Sequence, residues 1–175
     1  MNDLDNAQKS NIEEKILKEL QKDCRQNLDE IGKKCGCSRY KVGRFIKKLE
    51  ENNMILGYSA ILNPLKSKYK HFILLLKRTS EPVDEDLLKK LPSANDEDLI
   101  PELKNQLLDT YYVHGKYDWV MTFLAEDLSD AKEFCNKIYK YFNKYVEKLD
   151  LLETVGPLRK SGFRIPGDEK ITRIL

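Results

Sequence analysis

The stretch Leu28–Leu49, LDEIGKKCGCSRYKVGRFIKKL, decides the fold. Take Ser38 as an N-cap and turn the chain by about 100° per residue after it. Val42, Phe45, Ile46 and Leu49 then share one stripe, while Tyr40, Arg44 and Lys47 point the opposite way with Lys41 and Lys48 beside them. From Ser38 to Leu49 there are five Lys/Arg (Arg39, Lys41, Arg44, Lys47, Lys48) and no Asp or Glu. A helix that buries one apolar edge and offers only positive charge on the other suits a DNA major groove. Gly36 stands where a preceding helix must stop and the chain reverse, a place for positive φ.

The flanking residues complete a helix-turn-helix. Ser10 with Glu13 forms a capping-box pattern that opens a helix through Ile12, Ile16, Leu17 and Leu20. Asn27 with Glu30 forms a second cap, for a short helix through Leu28, Ile31 and Cys35. Ile16, Leu20, Ile31, Val42, Ile46 and Leu49 can then share one small core. This domain is expected over residues 10–55, after a flexible 1–9. A plain three-helix bundle with a solvated basic face is the bland alternative. The one-signed face directly after a tight turn favours double-stranded DNA as the partner. The expected contact set is Ser38, Arg39, Tyr40, Lys41, Arg44, Lys47 and Lys48, with Arg39, Tyr40, Lys41 and Arg44 nearest the reading end, Arg44 suited to guanine, and Lys47 and Lys48 on phosphates.

The chain has 175 residues, 41% of them hydrophobic and 34% charged, as befits a globular protein. No run approaches the ~20 apolar residues that span a bilayer, and no signal-peptide core opens the chain. No membrane partner is expected, and the location expected by default is cytoplasmic. The net charge of +2 is unevenly spread. Residues 10–50 hold eleven Lys/Arg against seven Asp/Glu, whereas 81–109 hold three Lys against nine acids. Cys24, Cys35, Cys37 and Cys135 lack the C-x-x-C spacing of common zinc and redox sites, so they read as small buried or free thiols. No metal or cofactor is expected. His71 and His114 show no ligand spacing, and there is no nucleophile motif or phosphate-cradling glycine loop, so an enzyme is not expected.

After Asn53, a residue suited to a left-handed cap, Met54–Leu62 looks extended until Asn63-Pro64 ends it. Residues 56–70 are read as a linker strand and hinge. Phe72–Lys77 is a buried-strand run, and Val83, Leu87, Leu88 and Leu91 follow at helical spacing. Leu108–His114 and Trp119–Ala125 are strand-like and flank the turn Gly115-Lys116-Tyr117-Asp118. Ala131, Phe134, Cys135, Ile138 and Phe142 mark a helix entered through Asp127 or Ser129, and Val146–Val155 is a last strand. The order β-α-β-β-α-β over 71–156 is that of a ferredoxin-like fold, giving an α+β chain with a helix-turn-helix domain in front. One face of such a sheet is covered by helices, and the other needs a partner, so self-association is expected. The tail 157–175 follows, with five Lys/Arg against two acids from Arg159 onward.

From about Ile12 to Gly156 the chain resembles the leucine-responsive/asparagine-regulator (Lrp/AsnC) family of transcription factors. The likeness lies in Ile16-Leu17, Leu20 and Arg25, then in Glu30-Ile31, Gly36, Ser38, Val42, Arg44, Ile46 and Leu49-Glu50. It continues through Ile55, Gly57-Tyr58, Ala60 and Asn63-Pro64 to the turn at Gly115–Asp118. The resemblance implies a winged or plain helix-turn-helix joined to a ferredoxin-like effector domain, in a sequence-specific regulator of transcription. It also implies homodimers paired through the sheet, assembly into octamers, and an amino-acid effector bound near Gly115, Tyr117 and Asp118. Phe45 stands where many members carry a second arginine, and 92–106 reads as an acidic insertion. A narrower alternative on the same architecture is a haem-biosynthesis (sirohaem) decarboxylase subunit, with His71, His114 and nearby arginines holding carboxylates. The cationic helix argues against it, since such an enzyme needs none.

Overall fold

A computed structural model describes residues 2–90, 100 and 106–166, with side chains from 10 onward except at 106. The proposed insertion at 92–106, apart from Ile100 and the backbone of Gln106, and the tail beyond 166 lie outside the described residues. The chain divides into two compact units, Met1–Ala60 and Ile61–Leu175. Among the described residues, no helix is long and apolar enough to cross a membrane.

The first unit is three helices, α1 (Asn2–Lys22), α2 (Leu28–Cys35) and α3 (Arg39–Glu51). Asn27 caps α2, its side chain accepting the Glu30 N–H at 2.9 Å. Gly36 ends that helix at φ 69°, ψ 38°, and its own N–H donates to the Gly32 carbonyl. Ser38 caps α3 by accepting the Lys41 N–H at 3.3 Å, and Asn53 turns the chain away with φ 55°. Caps of this kind stabilise a helix by about 1 kcal/mol each. Ile16, Leu20, Ile31, Cys35 and Val42 are buried together, with Ile12, Leu28, Phe45 and Ile46 packed around them. Ile16, Ile31 and Val42 are completely enclosed, and each such side chain is worth roughly 1.5–3 kcal/mol.

Two expectations fail in this unit. Ser10 is not a cap, because α1 already runs from Asn2 and leaves Ser10 exposed within it. Residues 2–9 contain no Gly or Pro, so once the helix is nucleated nothing stops its extension toward the amino terminus. Met54–Leu62 forms no strand: Leu56 is 91% exposed and Leu62 72%. A strand needs a hydrogen-bonding neighbour, and the first unit contains none among the described residues.

The second unit holds β1 (Lys70–Arg78), α4 (Glu85–Lys90), β2 (Gln106–Tyr112), β3 (Trp119–Ala125), α5 (Leu128–Phe142) and β4 (Val146–Glu153). The strands pair in the order β2-β3-β1-β4, antiparallel throughout, which is the ferredoxin-like arrangement. Asp127 caps α5, accepting the Asp130 N–H at 2.9 Å. The helix after Pro82 begins only at Glu85, so Val83 precedes it, and Leu91 lies outside the described residues. Phe72, Leu74, Leu76, Met121 and Phe123 bury one sheet face against Ala131, Phe134 and Ile138 of α5. The rings of Phe123 and Phe134 stack at 4.1 Å between centroids. On the other face, Ile73 stands between Thr122 and Leu152, and Leu75 between Val120 and Asp150. Leu152 is 47% exposed there.

A short hairpin, β5 (Arg159–Lys160) with β6 (Phe163–Arg164), follows β4 where the sequence reading places only a tail. Its loop is Ser161-Gly162, at φ 47° and 83°. Two left-handed residues are what a two-residue hairpin loop demands. The Ser-Gly pair inside Lys160-Ser161-Gly162-Phe163 is the signal for it.

Candidate nucleic-acid interface

Gly32 sets how closely α3 approaches α2. A Cβ there would lie 2.6 Å from the Cys37 carbonyl oxygen, a distance only glycine permits. The Cys37 N–H returns a hydrogen bond to the Gly32 carbonyl at 2.9 Å. With that turn fixed, α3 buries Val42 and Leu49 and presents its other side to solvent. Tyr40 is 76% exposed; Arg39, Arg44, Lys47 and Lys48 are exposed and Lys41 is half-buried.

The cations of this face differ in their surroundings. Arg39 stands 3.4 Å from Asp29, Lys47 3.7 Å from Glu51, and Lys48 3.8 Å from Glu13. Such exposed pairs are worth about 0–1 kcal/mol and exchange readily for phosphate. Lys41 and Arg44 have no ion-pair partner among the described residues. Both line an open groove of about 530 Å³ between α1 and α3, floored by Ile16 and Phe45. Phe45 thus packs against the core where a second arginine would reach for solvent. Glu13 and Glu51 also line the groove, so the one-signed character of α3 is tempered at its flank. In the sequence Glu13 has only a capping role with Ser10, and its place beside α3 is not legible there because it sits on α1, far from α3 along the chain.

The turn at Gly115–Asp118 is built differently. Gly115 adopts φ 147°, and the Asp118 N–H donates to the Leu76 carbonyl at 2.9 Å. Asp118 Oδ2 accepts the backbone N–H of Arg78 at 2.9 Å and lies 3.0 Å from Lys77 Nζ. The Arg78 amide first, and Lys77 after it, hold this carboxyl below its ordinary pKa. The Tyr117 hydroxyl donates to Asp150 Oδ2 at 2.6 Å. Asp118 therefore ties the turn to the end of β1, while Tyr117 reaches β4.

The histidines are not brought together. His71 Nδ1 lies 2.8 Å from Thr154 Oγ1, and burial, with Lys160 nearby, lowers its pKa. His114 is exposed beyond β2, at the opposite end of the ladder, where Tyr112 pairs with Trp119 and Trp119 with Leu76. Cys35 belongs to the core of the first unit, and Cys24 is exposed. Among the described residues, no group of three or more His, Cys, Asp or Glu is placed to hold a metal ion.

Residues 9–55 match a family model for winged helix-turn-helix DNA-binding domains. A Pyrococcus horikoshii protein described as an uncharacterized HTH-type transcriptional regulator is 30% identical over 132 residues, 75% of this chain and 80% of that one. The Bacillus subtilis HTH-type transcriptional regulator LrpB is 25% identical over 132 residues, covering 75% and 82%. Among solved structures, an AsnC family transcriptional regulator from Agrobacterium tumefaciens superposes with a TM-score of 0.64 at 20% identity, covering 91% of this chain and 97% of its own. A Neisseria meningitidis transcriptional regulator, solved as a complex with L-Met, gives 0.66 at 15% identity, covering 94% and 97%. With the three-helix head, the β2-β3-β1-β4 sheet and relatives of this kind over most of its length, the chain belongs to the Lrp/AsnC family of helix-turn-helix transcriptional regulators.

Proposed function

We propose that this regulator binds double-stranded DNA by laying α3 in the major groove. Ser38, Arg39, Tyr40, Lys41, Arg44, Lys47 and Lys48 form the contact surface, and 10–55 acts as the reading domain. The observation that carries this is the outward cationic side of α3, with Lys41 and Arg44 beside an open groove and without ion pairs among the described residues. Backbone N–H groups at the Ser38 cap suit a phosphate, and Arg44 suits a bidentate contact to guanine worth roughly 1–3 kcal/mol of discrimination. Lys47 and Lys48 add affinity without sequence information.

Residues 71–156 serve assembly and sensing in this proposal, by binding and not by catalysis. The open sheet face around Ile73 and Leu75 pairs two copies, so that two α3 helices reach half-sites about 34–36 Å apart, and dimers stack further into octamers. An amino-acid effector is supported by the L-Met complex of the Neisseria structural neighbour, and its place in this proposal is near Gly115, Tyr117 and Asp118. Such a ligand acts by favouring one assembly state over another. The test of the reading surface is a pair of variants assayed on a footprinted operator and on random DNA. Arg44→Ala should weaken operator binding by about tenfold or more relative to random DNA, and Lys47→Ala should weaken both alike. Equal losses for Arg44→Ala on both probes would remove its base-reading role.

A further inference from the structure

The hairpin β5–β6 carries cations without counter-charge. From Gly156 to Pro166 the chain has Arg159, Lys160 and Arg164 and no Asp or Glu. None of the three has an ion-pair partner among the described residues; Arg159 only donates from Nη1 to the Gly162 carbonyl at 3.2 Å, inside the hairpin. Arg159 and Arg164 are direct cross-strand partners, so both side chains leave the same face of the ribbon. That face points to solvent: both arginines are exposed, whereas Lys160 on the other face is half-buried and close enough to His71 to lower its pKa. Ile165, only 8% exposed, roots the second strand.

Like charges set directly opposite each other weaken a ribbon, and here an anion lying across both would reverse the effect. Nor is the pair a by-product of a basic domain. Residues 61–175 hold nineteen Lys/Arg and nineteen Asp/Glu, with the acid concentrated at 81–109. Planar guanidiniums pair with phosphate and carboxylate oxygens alike, and DNA presents phosphate along its whole length. We infer that the outward face of this hairpin is a second DNA contact, gripping the phosphate backbone through Arg159 and Arg164. The inference rests on the proposed DNA binding by α3 and adds affinity to it without sequence preference.

The test compares the full native chain with Arg159→Gln/Arg164→Gln on a mixed-sequence duplex of about 40 base pairs, between about 50 and 200 mM salt. Because two phosphates per subunit then go unneutralised, the slope of log K against log salt should fall by about 2 for each subunit whose hairpin engages the duplex. The native chain's advantage should then shrink about twelvefold across that salt range for each such subunit. Arg159→Lys/Arg164→Lys should keep most of the slope, which separates charge from packing. Preference for an operator over random DNA should stay unchanged in both variants, unlike in Arg44→Ala. A native slope in the glutamine variant overturns the hairpin contact while leaving the α3 reading intact. An unchanged slope with altered sedimentation also overturns it, assigning the hairpin to a second copy's acidic surface. A native chain that binds no DNA at the lowest salt sinks the α3 reading, and this inference with it.

Discussion

Replacing Gly32 by alanine should destabilise the helix-turn-helix, although alanine is the better helix former. Intrinsic propensity favours the change by about 1 kcal/mol in a helix interior. Against that, the new Cβ would lie 2.6 Å from the Cys37 carbonyl oxygen and 3.4 Å from the Arg39 nitrogen. Both are backbone atoms, so no side-chain rotation relieves the clash. The turn is also tied down by the Cys37 N–H bond to Gly32, so relief means moving the start of α3 away from α2. Such a shift loosens the packing of Ile31 and Val42, both wholly buried. Overpacking costs about 1–3 kcal/mol, and a weakened hydrogen bond costs about 1 more. The net loss is about 1–3 kcal/mol, roughly 5–20 °C in the melting temperature of a unit this small. Thermal melts of the full chain by far-ultraviolet circular dichroism read it directly, and operator affinity should fall with it. Gly43→Ala is the internal control, because its Cβ meets only a side-chain end, Leu28 Cδ1, at 3.4 Å. That variant should hold or gain up to about 1 kcal/mol. A Gly32→Ala protein that melts at or above the native temperature would show that this close approach does not set the angle between α2 and α3.

Lys22 first, and then Lys34, hold the Glu19 carboxyl down to about 2 from its ordinary 4.5. Its contribution to stability is therefore complete above about pH 4.5 and disappears as pH falls toward 2, so Glu19→Gln should flatten the acid limb of urea midpoints measured across that window. Burial pushes the Cys135 thiol to about 11 and raises Cys35 as well, whereas Cys24 is exposed. A chromogenic disulfide at about pH 8 should modify Cys24 first; a fast phase that survives Cys24→Ser counts against the assignment. Ile73→Arg places a charge in the middle of the open sheet face, between Thr122 and Leu152. Sedimentation should show the variant as folded monomers, and dimers that persist would mean pairing through another surface.

The readable features are those whose cause is local. Asn27, Gly36, Ser38 and Asn53 each do a job defined by one residue's side chain or φ, and the structure uses them so. The strands of the second unit were readable because a buried run and a half-buried run have different periods, and Trp119–Ala125 begins and ends where its pattern does. Ser10 misled because a capping pattern states where a helix can begin, not where it must. Met54–Leu62 has the composition of a strand, yet composition supplies no pairing edge. Glu13 beside Lys48 depends on how α1 packs against α3, which no short window contains.

Asp118 shows why the second unit is harder to read for function than the first. A glycine-tyrosine-aspartate turn has one composition for two purposes, shaping a hairpin or presenting a carboxylate to an ammonium group. In the folded chain the carboxylate is already engaged through Oδ2, by the Arg78 amide and the Lys77 ammonium. An amino acid that docks its ammonium on Asp118 must therefore compete with Lys77, a side chain of β1 whose own strand pairs with both β3 and β4. Ligand charge would take the place of protein charge at the end of the central ladder. Lys77 lies on the same strand as Ile73 and Leu75, with side chains at every second position sharing the open face. In the proposed reading a ligand at the turn and a second copy on the sheet would share one strand, and the ligand would alter assembly to the extent that it binds one assembly state better than the other.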